Sequence, residues 1–180
     1  SDGKSVGTAV DFHDALRNAK PAGMRPEEWA ARLELAACYR VVDRFGWSEL
    51  IANHITLRLP GPDRHYLINP YGLLYSEVTA KNLITIDTTG NKISDSPHLV
   101  NIAGFVIHSA LHSARDDAHC ILHTHTTAGM AVACKENGLR LENVYCAQLY
   151  DRVGYHDFGA APTQAEEGPA IVKSLGRNDF

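Results

Sequence analysis

Residues 101–125 read Asn101-Ile-Ala-Gly-Phe-Val-Ile-His-Ser-Ala-Leu-His-Ser-Ala-Arg-Asp-Asp-Ala-His-Cys-Ile-Leu-His-Thr-His125. Within Val100–Arg115, Ile102, Phe105, Val106, Ala110 and Leu111 recur at helical spacing. Arg115-Asp-Asp117 makes a solvated turn, and Cys120-Ile-Leu-His-Thr-His125 is a short apolar strand that ends in polar residues. Residues i and i+2 of a strand share a face, so His123 and His125 project together. A further helix is expected over Ala128–Glu136, with Thr126 or Thr127 as N-cap and its end near Gly138. Its first N–H groups favour anions. Two convergent imidazoles beside such a terminus suit a divalent metal, and two hydrogen-bonded structural histidines suit the same pattern.

Upstream, residues 1–25 read as a flexible N-terminal lead-in. Pro26 then opens a helix carrying Trp29, Leu33, Ala36, Ala37, Val41 and Phe45 on one stripe, and Gly46 stops it. Ile51–Leu59 alternates, with Ile55, Leu57 and Leu59 against His54, Thr56 and Arg58, the pattern of a half-buried strand. Pro60-Gly-Pro-Asp63 turns the chain into a hairpin partner at His65–Ile68, and Asn69-Pro-Tyr-Gly72 is a second turn. Asn82–Asp87 is another strand, followed by a hairpin through Lys92-Ile93. Tyr145–Tyr155 is expected to hold one or two strands, and a last helix runs from about Thr163 to Leu175 before Gly176. Hairpin-linked strands between helices predict an α/β fold, a three-layer α/β/α sandwich with a largely antiparallel central sheet.

The composition narrows the function classes. A 180-residue chain with 44% hydrophobic and 21% charged residues is ordinary globular material. Seventeen basic against twenty-one acidic residues leave −4, which gives no footprint for nucleic acid. The longest apolar runs, such as Leu33–Cys38 and Ala103–Ile107, fall far short of the roughly 18–20 residues of a membrane span. The first residues lack the apolar core of a signal peptide. Cys38, Cys120, Cys134 and Cys146 form no Cys-x-x-Cys, and the first three lie in apolar stretches. They are expected to be buried thiols, which with the missing signal points to a cytoplasmic setting.

Other catalytic patterns are absent. His108-Ser-Ala-Leu-His112 has the i, i+4 spacing of a zinc-protease helix, but Ser109 stands where the essential glutamate belongs. A metallohydrolase barrel would typically need about 250 residues. A cupin would follow its histidine pair with strand, where a helix is expected here. No Gly-x-Ser-x-Gly, Walker or dinucleotide pattern occurs.

Taken whole, residues 101–125 resemble the class II aldolase/adducin head-domain family, in which a helix leads through an Arg-Pro-Asp-like turn into a strand ending in His-x-His. Asn53-His-Ile-Thr-Leu-Arg58, Ile68-Asn-Pro-Tyr-Gly72 and Tyr155-His-Asp-Phe-Gly159 extend the resemblance over residues 26–180. The resemblance implies zinc, or another divalent metal, as a Lewis acid that polarises a substrate carbonyl. His123 and His125 would be two ligands. The family's third histidine belongs to a His-His-Gly stretch one strand beyond the last helix, so residues 26–180 are expected to lack the C-terminal part of the domain. The alternative is that another histidine of this chain substitutes, with His156 as the internal candidate.

The departures matter equally. At the family's Ser-Ser-Glu step, whose serines hold phosphate and whose glutamate is the acid/base, this chain carries Ile102, Ala103 and Gly104. Asn53-His54 replaces a Gly-Asn phosphate loop, Gly72 is kept, and Tyr71 replaces a small hydroxyl residue. Asn53, Tyr71 and Gly72 are the substrate-binding candidates, and His54 and His108 the candidates to move protons in place of the glutamate. The Ala103-Gly104-Phe105 version looks like the adducin-type branch. Two functions follow as expectations. One is lyase-type chemistry on a small, non-phosphorylated carbonyl substrate. The other is a non-catalytic, adducin-like oligomerisation or scaffold domain. The resemblance further implies a homo-oligomer, with a tetramer among the candidates and Tyr145 and Tyr155 as boundary aromatics.

Overall fold

The computed structural model describes residues 15–16, 18–157 and 166–180. Helix α1 (Pro26–Arg44) has Pro at its start, Glu27 and Glu28 in its first turn and Arg44 in its last, all favourable to the helix dipole. Strands β1 (His54–Arg58), β2 (Tyr66–Ile68) and β3 (Ile84–Ile86) follow, with a 3-10 turn at Tyr75–Glu77. Next come α2 (Ile102–Ala114), β4 (Cys120–His123), α3 (Thr127–Ala133), α4 (Val144–Ala147) and α5 (Glu167–Leu175). The sheet is antiparallel throughout, in the order β3-β2-β1-β4. This is the α/β architecture expected, although Tyr145–Tyr155 differs. There Asn143 accepts from the N–H groups of both Tyr145 and Cys146 and opens the one-turn α4. That local cap outweighs the strand preference of Val-Tyr-Cys.

Parity along β1 explains the layering. Ile55 joins Ala31, Leu35, Tyr39 and Val42 of α1 in one cluster, with Leu67, Tyr75, Val78 and Leu83. The Tyr39 hydroxyl accepts the Ile55 N–H at 2.9 Å, which fixes α1 to the strand. The opposite face carries Tyr66, Ile68, Ile84 and Ile86 against Phe105 of α2. Burying side chains of this size stabilises by about 1.5–3 kcal/mol each. The polar face of β1, expected to be solvated, is therefore covered: His54 and Thr56 are buried beneath α2.

Among the described residues the edge strand β4 pairs only with β1, with His54 opposite His123 and Leu57 opposite Cys120. Nothing described covers its outer side, so Cys120 is exposed. Cys134 is exposed as well, since α3 buries no residue, and Cys38 is half-buried. The expectation of buried thiols fails for that reason. Among the described residues no helix is long and apolar enough to cross a membrane. Most of the expected lead-in lies outside the described residues; Leu16 within it accepts the Trp29 indole N–H at 2.9 Å.

Candidate metal centre

The pairing of β1 with β4 gathers the histidines. His123 ends β4, and Thr126 caps α3 by accepting the Gly129 N–H at 3.0 Å, so Thr124-His125 bridges strand and helix. The Nε2 atoms of His123 and His125 lie 2.7 Å apart, with the rings nearly perpendicular at 89°. Two imidazole lone pairs at that distance repel unless a proton or a cation lies between them. Burial and the neighbouring His125 hold His123 below the ordinary imidazole value, which favours the neutral, ligating form. Such nitrogens suit zinc as two members of a ligand set. Among the described residues no third histidine, cysteine or carboxylate completes a group of three.

Behind the pair, His54 is 6% exposed, and among the described residues neither of its ring nitrogens has a hydrogen-bond partner. Its ring centroid is 5.3 Å from that of His123 and 4.2 Å from that of His108. Burial first, and then His123, lower His54 to about 4. Its place is set by Gly104, where a Cβ would fall 2.5 Å from His54 Cδ2. The position at which the family resemblance puts an acid/base glutamate is thus occupied, in space, by an imidazole delivered from the sheet.

His108 is 2% exposed and engaged deeper still. His112 Nδ1 donates to the Ala118 carbonyl at 2.7 Å, leaving Nε2 to accept the Thr56 hydroxyl proton at 2.8 Å. Thr56 Oγ1 then accepts from His108 Nδ1 at 2.7 Å. One hydroxyl thus ties His108 Nδ1 and His112 Nε2, the i, i+4 pair on α2, to β1.

The remaining candidates fall elsewhere. His156 uses Nδ1 with Ser174 Oγ and Nε2 with Glu167 Oε1, each at 2.9 Å, so α5 holds it and it does not join the pair as a third ligand. Asn53 is fully buried, its Oδ1 accepting the Glu49 N–H at 2.5 Å, and it offers no side chain to solution. Tyr71 and Gly72 form the turn after β2, with the Tyr71 ring 46% exposed and Gly72 at φ 93°. Tyr145 is exposed, and the Tyr155 hydroxyl accepts the Leu139 N–H at 2.7 Å.

One residue at the site had no sequence signal: the Glu49 carboxylate, which accepts from His125 Nδ1. Only the antiparallel register, which runs the chain before β1 alongside the chain after β4, could have found it.

Comparison with known proteins agrees with this architecture. The family model described as the class II aldolase and adducin N-terminal domain matches residues 33–180. A Caulobacter vibrioides protein, provisionally named an aldolase class 2 protein, is 43% identical over 150 residues, covering 83% of this chain and 58% of its own. Alpha-adducin of Mus musculus is 44% identical over 174 residues, 96% of this chain and 23% of adducin. The crystal structure of an aldolase II superfamily protein from Pseudomonas syringae superposes with a TM-score of 0.83 at 37% identity, over 96% of this chain and 65% of that one. The L-fuculose 1-phosphate aldolase of Glaciozyma antarctica gives 0.76 at 28% identity, over 91% and 64%. The chain therefore spans somewhat less than two thirds of the three aldolase-type relatives' lengths and about a quarter of alpha-adducin's.

Proposed function

The chain belongs to the class II aldolase and adducin N-terminal domain family, and on that premise we propose that it holds a divalent metal, zinc foremost, through His123 and His125. The chemistry we assign is lyase-type, on a small carbonyl compound without a phosphate. The observation that supports this most is the 2.7 Å approach of the two Nε2 atoms at the strand end. A cation held there would supply Lewis-acid polarisation of a carbonyl oxygen.

The chain's own residues define the rest. Gly104 has no group to exchange a proton, and Ile102 and Ala103 offer no hydroxyl to a phosphate. His54 is the group beside the pair without a hydrogen-bond partner among the described residues. Its value lies near 4, so it is neutral at pH 7. Its lone pair and N–H are both buried behind His123, and a substrate hydroxyl reaches them only by entering between them and Gly104. Asn53 is assigned to holding the loop ahead of β1, and Tyr71 and Gly72 to the substrate side. The reading includes a homo-oligomer in the cytoplasm, with small-molecule ligands and with neither nucleic acid nor membrane insertion.

The test is to incubate the zinc-loaded chain with matched phosphorylated and unphosphorylated hydroxy-carbonyl compounds and follow cleavage by NMR. Cleavage confined to the unphosphorylated set is expected, and it should fall about 10²–10⁴-fold in His54→Ala. Preference for the phosphorylated set would overturn the assignment. Zinc binding without any cleavage would favour the non-catalytic, adducin-like association domain.

A further inference from the structure

We infer that Glu49 is the positioning residue of the centre: its carboxylate fixes the His125 tautomer and so turns the Nε2 lone pair toward His123. This rests on the reading of the His123–His125 pair as a cation site. A carboxylate can only accept, so the Glu49–His125 contact requires the proton on His125 Nδ1. The lone pair is then on Nε2, the atom 2.7 Å from His123 Nε2. Without that partner, a free imidazole prefers the other tautomer, which would point an N–H at the place of the cation.

The backbone that carries this carboxylate is held in place independently of the histidine. Glu49 donates its backbone N–H to the buried Asn53 Oδ1 at 2.5 Å, and its carbonyl accepts the Ala52 N–H at 2.9 Å. These bonds close the chain immediately ahead of β1. The pairing of His54 with His123 then lays that turn beside Thr124-His125. Carboxylate partners of this kind raise the basicity of a ligating imidazole and typically change metal affinity 10–100-fold.

The experiment compares the wild-type chain with Glu49→Ala and Glu49→Gln. Glu49 is exposed, and both variants keep the backbone bonds, so circular dichroism should be unchanged. Zinc affinity is measured with zinc alone against a chromophoric chelator. The His125 tautomer is read in metal-free protein from ¹⁵N long-range couplings. Expected are an Nδ1–H tautomer in the wild type, its loss in Glu49→Ala with a 10–100-fold weaker zinc affinity, and recovery of most of both in Glu49→Gln, whose carbonyl still accepts. An Nε2–H tautomer in the wild type, or a tautomer and affinity unchanged in Glu49→Ala, would overturn the inference. A wild type that takes no zinc but shows the Glu49-dependent tautomer would support the positioning role while sinking the metal reading.

Discussion

Gly104 and His54 share one volume: a methyl group on Gly104 would lie 2.5 Å from Cδ2 and 2.6 Å from Nε2 of the His54 ring. Gly104 is inside α2, where alanine would ordinarily gain about 1 kcal/mol. The clash should reverse that sign. Gly104→Ala is expected to lose about 1–3 kcal/mol of stability in urea unfolding. In a His54→Ala background the same change should stabilise. Equal effects in both backgrounds would show that the two residues do not compete for space. For the same reason Gly104→Glu, even with serines at 102 and 103, needs His54 displaced before a carboxylate could sit where the aldolases keep theirs.

The Thr56 hydroxyl serves two buried imidazoles at once. Thr56→Val keeps the shape and removes the only hydrogen-bond partner of His108 Nδ1 and of His112 Nε2 among the described residues. Each orphaned nitrogen should cost about 1–3 kcal/mol. Thr56→Ser should recover most of the loss in the same unfolding assay. A valine variant as stable as the wild type would contradict the shared-hydroxyl assignment.

Acid should weaken the fold through the same cluster. Burial, opposed in part by the Ala118 carbonyl and reinforced by Arg58, lowers His112 to about 4. Burial, with the neighbouring histidines, lowers His108 well below its usual value. Unfolded histidines take up protons near pH 6.5. Below that pH the unfolded chain binds more protons than the folded one. Stability is therefore complete above about pH 6.5, falls as the pH drops toward 4, and for His112 levels off below 4. The slope is at most about 1.4 kcal/mol per pH unit for each ring. Urea midpoints at pH 7.5, 6, 5 and 4.5 measure it, and His112→Gln should lose less over that interval. A flat profile would mean that these rings are not buried in the neutral state.

The order of helices and strands was legible because the patterns that define it are local. The alternation through Ile55 and Leu57 survives in the structure as strand geometry, and His123 and His125 do converge, although only His123 belongs to β4. The burial of His54 and Thr56 was not legible, since a polar stripe looks solvated until α2 supplies His108 and His112 to cover it. Tyr145–Tyr155 misled because the Asn143 cap acts against the β preference of its neighbours. Cys120 and Cys134 have apolar sequence neighbours, yet β4 is an edge strand and α3 buries nothing. Glu49 belongs to no motif; it reaches His125 only because two strands pair in one register.

The metal claim is most directly tested by zinc stoichiometry. Purified wild-type chain, His123→Ala and His125→Ala are each equilibrated with zinc, desalted and analysed for metal, with circular dichroism as the control for folding. About one zinc per wild-type chain and almost none in either variant, at unchanged secondary structure, is the predicted result, since each substitution removes half of the visible donor pair. Zinc retained in both variants, or a wild-type chain that takes up none, would contradict it.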